Sequence, residues 1–244
     1  MRWILFFIFS ISLSFMAPDL YAQTHTDSVK NIGVIAKLSG MVKVLEEGSI
    51  KKKRARSGFE IKRGDMVITY GEATAIVALM DGSKIVLDGG SMVHFASAKE
   101  IDHKEGSIYY NIVKRDAKNS LNVKTRFAII GIKGTTFIIN DDPENGKNVA
   151  LKEGLIGVQS MKEAFELHKK KVMDEYARFK AQQEAGFEAY KKQYEDEIVE
   201  HVKAFELTKG KSISFSGERR VDEKEFAEKT KKQFDYFENL INKM

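Results

Sequence analysis

From Ile32 to Ser160 the chain repeats one device: a short run of β-branched and other apolar residues, then a turn built from Gly, Asp or Asn. The runs fall at 33–36, 41–45, 66–69, 74–80, 84–87, 92–95, 107–113, 121–125, 127–130, 135–139 and 148–152. Turn signals such as Arg63-Gly64-Asp65, Asp81-Gly82-Ser83 and Gly89-Gly90-Ser91 separate them. Strands at such short, regular spacing predict a sandwich, barrel or solenoid. Asp81-Gly82 suits a tight hairpin. Along 74–80, Ala75, Val77 and Leu79 alternate with Ile76, Ala78 and Met80. Both faces are apolar, which predicts a strand buried on both sides at the centre of the core.

The pattern changes at Gln159-Ser160. Residues 161–204 contain no Pro and one Gly, and Lys, Glu, Gln and Ala dominate. Phe165, Val172, Tyr176, Phe179, Phe187, Tyr190, Tyr194, Ile198 and Val202 recur at helical spacings. This predicts a long helix, or a helical hairpin folded near Gly186, inserted into the β domain. Its aromatic stripe would pack within the monomer or serve self-association, as in a coiled coil. Residues 205–208 and 212–215 read as strands about Lys209-Gly210, and 155–159 and 205–208 as neighbours. Asp222 with Glu225 reads as a capping box for a last helix over 222–244, lined by Phe226, Thr230, Phe234, Phe237 and Ile241. The expected fold is therefore mainly β, a short-stranded solenoid or sandwich over 23–160 and 205–217. A helical insert at 161–204 and a C-terminal helix complete it.

Residues 1–22 read as a secretory signal peptide. Arg2 precedes an apolar run from Trp3 to Ala17, Pro18 and Asp19 break it, and Leu20-Tyr21-Ala22 offers a cleavage site before Gln23. The run falls short of the roughly 20 residues of a spanning helix. An uncleaved anchor is the alternative. The compartment expected is the periplasm or envelope of a bacterium. The chain has no Cys, which excludes disulfides, thiol chemistry and a lipidated N-terminal Cys. A net charge of +5 favours anionic surfaces such as phospholipid, lipopolysaccharide or wall polymer over nucleic acid in that compartment.

Several motifs stand in a recognisable order. Gly64-Asp65-Met66-Val67-Ile68-Thr69 comes first, then Asp81-Gly82-Ser83, then Val123-Lys124-Thr125-Arg126-Phe127-Ala128. Gly131, Gly134-Thr135-Thr136-Phe137 and Ile139 follow. Leu151-Lys152-Glu153-Gly154-Leu155 and Lys209-Gly210 close the series. In this order the chain resembles the FecR domain, over about residues 33–215 less the insert. That resemblance implies a periplasmic β-rich module defined by fold and location more than by a shared reaction. There are departures. Arg126 stands where the family usually has Pro. The namesake regulators carry a cytoplasmic arm and a membrane span ahead of the domain, whereas here only Met1 and Arg2 precede the apolar run. The expectation is that no such arm contacts a sigma factor.

Two groups of residues stand out as candidate sites. Lys51, Lys52, Lys53, Arg54 and Arg56 form the densest basic run, either a solvated loop or a contact with an anionic polymer or membrane surface. No aromatic interleaves with it, which argues against a nucleic-acid stacking platform. Thr125, Gly131, Gly134, Thr135 and Phe137 read as a structural corner, the glycines permitting unusual backbone and the threonines bonding the turn. His25, His94, His103, His168 and His201 lack ligand spacing, and the acidic turn 141–146 lacks a calcium-loop pattern. No nucleophile motif appears. The function expected is non-enzymatic, without cofactor or metal. The protein would bind an envelope protein or anionic polymer as scaffold or signalling accessory. A small-ligand sensor using a pocket of the β domain is the alternative.

Overall fold

The computed structural model describes residues 31–116, 119–143, 145–170 and 197–243. The signal-peptide reading and residues 171–196 of the expected insert lie outside the described residues. The strands form two stacked layers, because three of them are long enough to bend and belong to both. These are β1 (Asn31–Leu45), β4 (Met66–Leu79) and β7 (Glu100–Ile112).

In the first layer, the early half of β1 lies between β3 (Phe59–Lys62) and the late half of β4. The layer continues through β5 (Lys84–Leu87), the late half of β7, β10 (Thr135–Asp142), β11 (Gly146–Glu153), β16 (Lys211–Ser216) and β17 (Arg220–Glu225). It ends with β13 (Phe165–Lys170) and β14 (Glu197–Val202). In the second layer, the late half of β1 lies between β2 (Lys52–Arg54) and the early half of β4. Then come β6 (Met92–Ser97), the early half of β7, β8 (Leu121–Lys124), β9 (Ile129–Ile132), β12 (Leu155–Gln159) and β15 (Ala204–Thr208). The turns at Gly134, Gly154 and Gly210 pass the chain between layers along one edge.

Period-two alternation sends one set of side chains between the layers. Val77, Ile85, Tyr110, Phe137, Val149, Val123, Ile130 and Val158 meet there, all fully buried. Tyr110 and Phe137 stack with ring centres 4.8 Å apart. The opposite set on the first layer forms a single cross-strand row: Ile76, Val86, Tyr109, Ile138 and Ala150, each directly paired with the next. The helix α1 (Glu228–Asn242) covers this row with Phe234 and Phe237, whose rings lie 6.2 and 5.6 Å from that of Tyr109. Beside the apolar row runs a polar one, Ser107, Asn140 and Asn148. Gln233 of α1 donates to Ser107 Oγ and Asn140 Oδ1, both at 2.9 Å, and so fixes the helix on the sheet.

The β-rich expectation matches the described fold, with four corrections. First, the expected insert is not helical at its ends. Residues 165–170 and 197–202 are antiparallel strands, Lys170 opposite Glu197. Phe165 and Leu167 are buried two residues apart, a strand period that the surrounding Lys and Glu had masked. Second, β15 pairs with β12 as predicted, but β16, beyond the Lys209-Gly210 turn, pairs with β11 in the other layer. Third, Asp222 lies in β17, its carboxylate bound by Arg220, and α1 begins only after Ala227, which offers no side-chain cap. Fourth, Met80 is 73% exposed, so the second face of β4 is buried at Ile76, under the helix, and not along its length. Of the helix face, Phe234 and Phe237 are buried and Phe226 and Ile241 partly so.

Candidate functional site

The family-like motif residues are taken up in holding turns. The buried Asp65 carboxylate accepts the N–H groups of Lys62 (2.9 Å) and Glu47 (3.2 Å), tying the β3–β4 turn to the β1–β2 loop. Thr69 Oγ1 donates to the Asp88 carbonyl and accepts from Ser91 N–H. Asp81 accepts from Ser83 N–H at 2.9 Å and is clasped by Arg115. Burial pushes the Asp81 carboxyl up, but the bonds from Ser83 and Arg115 outweigh it and hold it below the ordinary range.

At the expected corner, Thr125 Oγ1 accepts from Phe127 N–H (3.1 Å) and Ala128 N–H (2.9 Å), closing the β8–β9 turn. Gly134 has φ +130°, and a Cβ there would lie 2.6 Å from Lys114 Cα. No other residue fits. Thr135 and Phe137 are buried in β10, and Thr135 Oγ1 has no hydrogen-bond partner among the described residues, so it does not bond the turn as expected. Gly131 differs from expectation. It sits in extended strand between Asn122 and Gly157, and a Cβ there would find its nearest neighbour at 3.7 Å.

Arg126, which replaces the usual Pro, grips the buried Asp141 with two bonds of 2.8 and 2.7 Å. The carboxylate raises the guanidinium still further above its ordinary value. Nearby, His103 is fully enclosed. Its Nε2–H donates to the Gly106 carbonyl at 3.2 Å, so Nδ1 is the acceptor for Tyr110 OH at 3.0 Å. Burial lowers its pKa to about 4. A groove of about 310 Å³ passes this region, lined by Glu100, Asp102, His103, Lys104, Lys124, Thr125, Arg126 and Met161. Its charges neutralise one another: Lys124 with Glu100 at 2.7 Å, Lys104 with Asp102 at 2.9 Å, Arg126 with Asp141. Among the described residues no cluster of His, Asp or Glu could hold a metal ion.

The basic run behaves differently. Lys51 lies in the β1–β2 loop, Lys52, Lys53 and Arg54 form β2, and Arg56 follows the buried Ala55; all five cations are exposed. Pairing with β1 sorts them by face. Lys53 stands opposite the buried Val44 and forms an ion pair with Glu46. Lys52 and Arg54 stand opposite Leu45 and Lys43 on the outer face. Lys52 Nζ donates to Tyr70 OH at 3.1 Å, and Lys43 Nζ lies 5.4 Å from the centre of the same ring. Lys43 and Lys52 thus flank Tyr70, Arg54 stands opposite Lys43, and none of the three has a carboxylate partner among the described residues. The Lys43–Arg54 pairing places like charges directly opposite, which is destabilising in an antiparallel ladder.

Sequence reasoning found Lys52 and Arg54 but missed Lys43 and Tyr70. The aromatic missing from the run itself comes from β4, brought alongside by pairing. The outward parity of Lys43, between Val42 and Val44, is the one signal that could have shown its place.

The family model described as FecR protein matches residues 65–157. Among solved structures, a candidate anti-sigma factor from Parabacteroides distasonis matches at 15% identity over 70% of this chain and 64% of its own, with a TM-score of 0.46. A second such structure from the same organism matches at 16% identity over 66% and 59%, with a TM-score of 0.42. This chain spans less than two thirds of the length of either. A cell surface anchoring domain matches at 32% identity over 27% of this chain and 86% of its own, with a TM-score of 0.26. A comparison with curated proteins finds no match. The residues matched by the FecR model run from the β3–β4 turn to β12 and include the turns at Thr125 and Gly134.

Proposed function

We propose that this FecR-domain chain is a non-enzymatic binding protein of the bacterial envelope, and that the outer face of β1 and β2 is its contact with an anionic partner. Lys43, Lys52 and Arg54 would take the anionic groups, Tyr70 would orient the two lysines, and Lys51 and Arg56 would extend the field at the margins. In this reading the FecR domain is a scaffold that presents the face, or an accessory that reports its occupancy.

The observation that carries the reading is the Lys43–Arg54 pair. Elsewhere cations face carboxylates, as do Lys124, Arg126, Lys152 and Lys211. Lysines on an open edge strand also deter edge-to-edge pairing. That role accounts for β2 but not for Lys43, which lies on an interior strand between β2 and β4. A like-charge pair beside a third cation is relieved when an anion binds between them. The apolar run at residues 3–17, read as an export signal, supports the compartment.

The test is binding to soluble polyphosphate, followed by fluorescence anisotropy at low and high salt. Combined Lys43→Gln, Lys52→Gln and Arg54→Gln should weaken binding at least about tenfold, on the scale of 1.4 kcal/mol per decade. The same substitutions should leave stability unchanged or slightly raised, because repulsion is removed. Unchanged affinity would refute the assignment.

A further inference from the structure

The cation face ends in a loop with an apolar tip. From this we infer that the anionic partner is the surface of a lipid bilayer, an inference that rests on the reading of the cation face given above. The loop joining β1 to β2 is held by its own bonds. Ser49 N–H donates to the Glu46 carbonyl at 3.0 Å. Ser49 Oγ then accepts from Lys51 N–H at 3.1 Å and donates to the Lys51 carbonyl at 3.2 Å. Ile50 is clipped between these two residues and is 96% exposed, more than any other large apolar side chain described.

Of the two acids in the loop, one is neutralised and the other, though exposed, lies back over a neighbouring turn. Glu46 is neutralised by Lys53. The Glu47 side chain is folded over Gly64, where an added Cβ would meet it at 2.4 Å. Along the strand pair the order is Ile50, then Lys52 opposite Leu45, then Arg54 opposite Lys43. Met41 follows, 48% exposed and opposite Tyr70.

A hydrated polyanion gives no partner to an isoleucine held in water by an ordered loop. A bilayer does. The tip enters the boundary of the acyl chains, the cations remain among the phosphates, and a tyrosine at headgroup depth suits an interface. Each basic residue near an anionic leaflet adds to the attraction, and the apolar tip converts that attraction into a shallow anchor.

The absence of Cys makes the test clean. Ile50→Cys in the full chain is labelled with a polarity-sensitive fluorophore, so residues 3–17 are common to every sample. Vesicles of phosphatidylglycerol in phosphatidylcholine should shift its emission to the blue; phosphatidylcholine vesicles and soluble polyphosphate should not. Separately, Ile50→Ser should lower partition onto the anionic vesicles about tenfold and leave polyphosphate affinity unchanged. A label that stays in water on anionic vesicles, or equal partition of Ile50→Ser and the parent chain, would overturn the bilayer assignment while leaving the cation face standing. Loss of polyphosphate binding in the parent chain would overturn the cation face, and the bilayer assignment with it.

Discussion

Lowering the pH from 7 to 4 tests the placement of His103. The imidazole is enclosed between Tyr110 OH and the Gly106 carbonyl, and burial lowers its pKa to about 4. Asp141 and Asp142 pull the other way, and Arg126 adds to the lowering. In the unfolded chain a histidine titrates near 6.5. Between these values the unfolded state takes up a proton that the native state refuses, so stability falls as the pH falls through that window. A gap of about 2.5 pH units at 1.36 kcal/mol per unit corresponds to about 3 kcal/mol. Above pH 6.5 the contribution is constant, and below about 4 it levels off. Further acid loss there belongs to Asp81, Asp102 and Asp222, whose carboxyls are held below the ordinary range. The assay is urea unfolding at pH steps from 8 to 4, in the parent chain and in His103→Gln. The parent should lose about 3 kcal/mol across the window and the variant much less. Parallel loss in both, or a ring-proton NMR titration of His103 centred at or above pH 6, would refute the reasoning.

Other perturbations follow from the same geometry. Phe237→Ala uncovers the row of Ile76, Val86, Tyr109, Ile138 and Ala150 and should cost roughly 3–5 kcal/mol in urea unfolding. Gly134→Ala forces a Cβ against Lys114 at positive φ and should destabilise by more than about 1 kcal/mol. Gly131→Ala in the same motif should stay within about 0.5 kcal/mol, because its Cβ has room. Arg126→Ala leaves the buried Asp141 carboxylate without its bidentate partner. Discounted for the exposure of Arg126, a loss of roughly 2 kcal/mol is expected, read as a lower urea midpoint. The predictions for Phe237, Gly134 and Arg126 would fail if the variant unfolded with the parent, and the one for Gly131 if it unfolded well before the parent.

The β class and the core were legible in the sequence because alternation and Gly-Asp turns are local signals. Ile85, Val86 and Leu87 are all fully buried, as a strand apolar on both faces requires. What was not legible depended on pairing between distant segments. Residues 33–36 and 41–45 read as two strands, yet they are the two halves of β1, which bends into both layers with a register shift between Ser39 and Met41. β17 carries five charged residues around the single buried Val221, and nothing local distinguishes it from a helix start. β13 and β14 flank a Lys- and Glu-rich stretch whose three- and four-residue spacings dominated the reading. The site shows the same division. Lys52 and Arg54 were visible as a run, whereas Lys43 and Tyr70 joined them only through cross-strand partners.

The cover of the outer apolar row has a consequence for biosynthesis. Every residue of that row, from Ile76 to Ala150, is synthesised well before residues 228–242 that shield it. A nascent or truncated chain therefore presents a sticky stripe of aligned Ile, Val and Tyr for as long as the helix is missing. Handling of the chain before completion, by chaperones or by export, would have to occupy that stripe. A premature stop after residue 225 would yield a sheet that assembles yet aggregates.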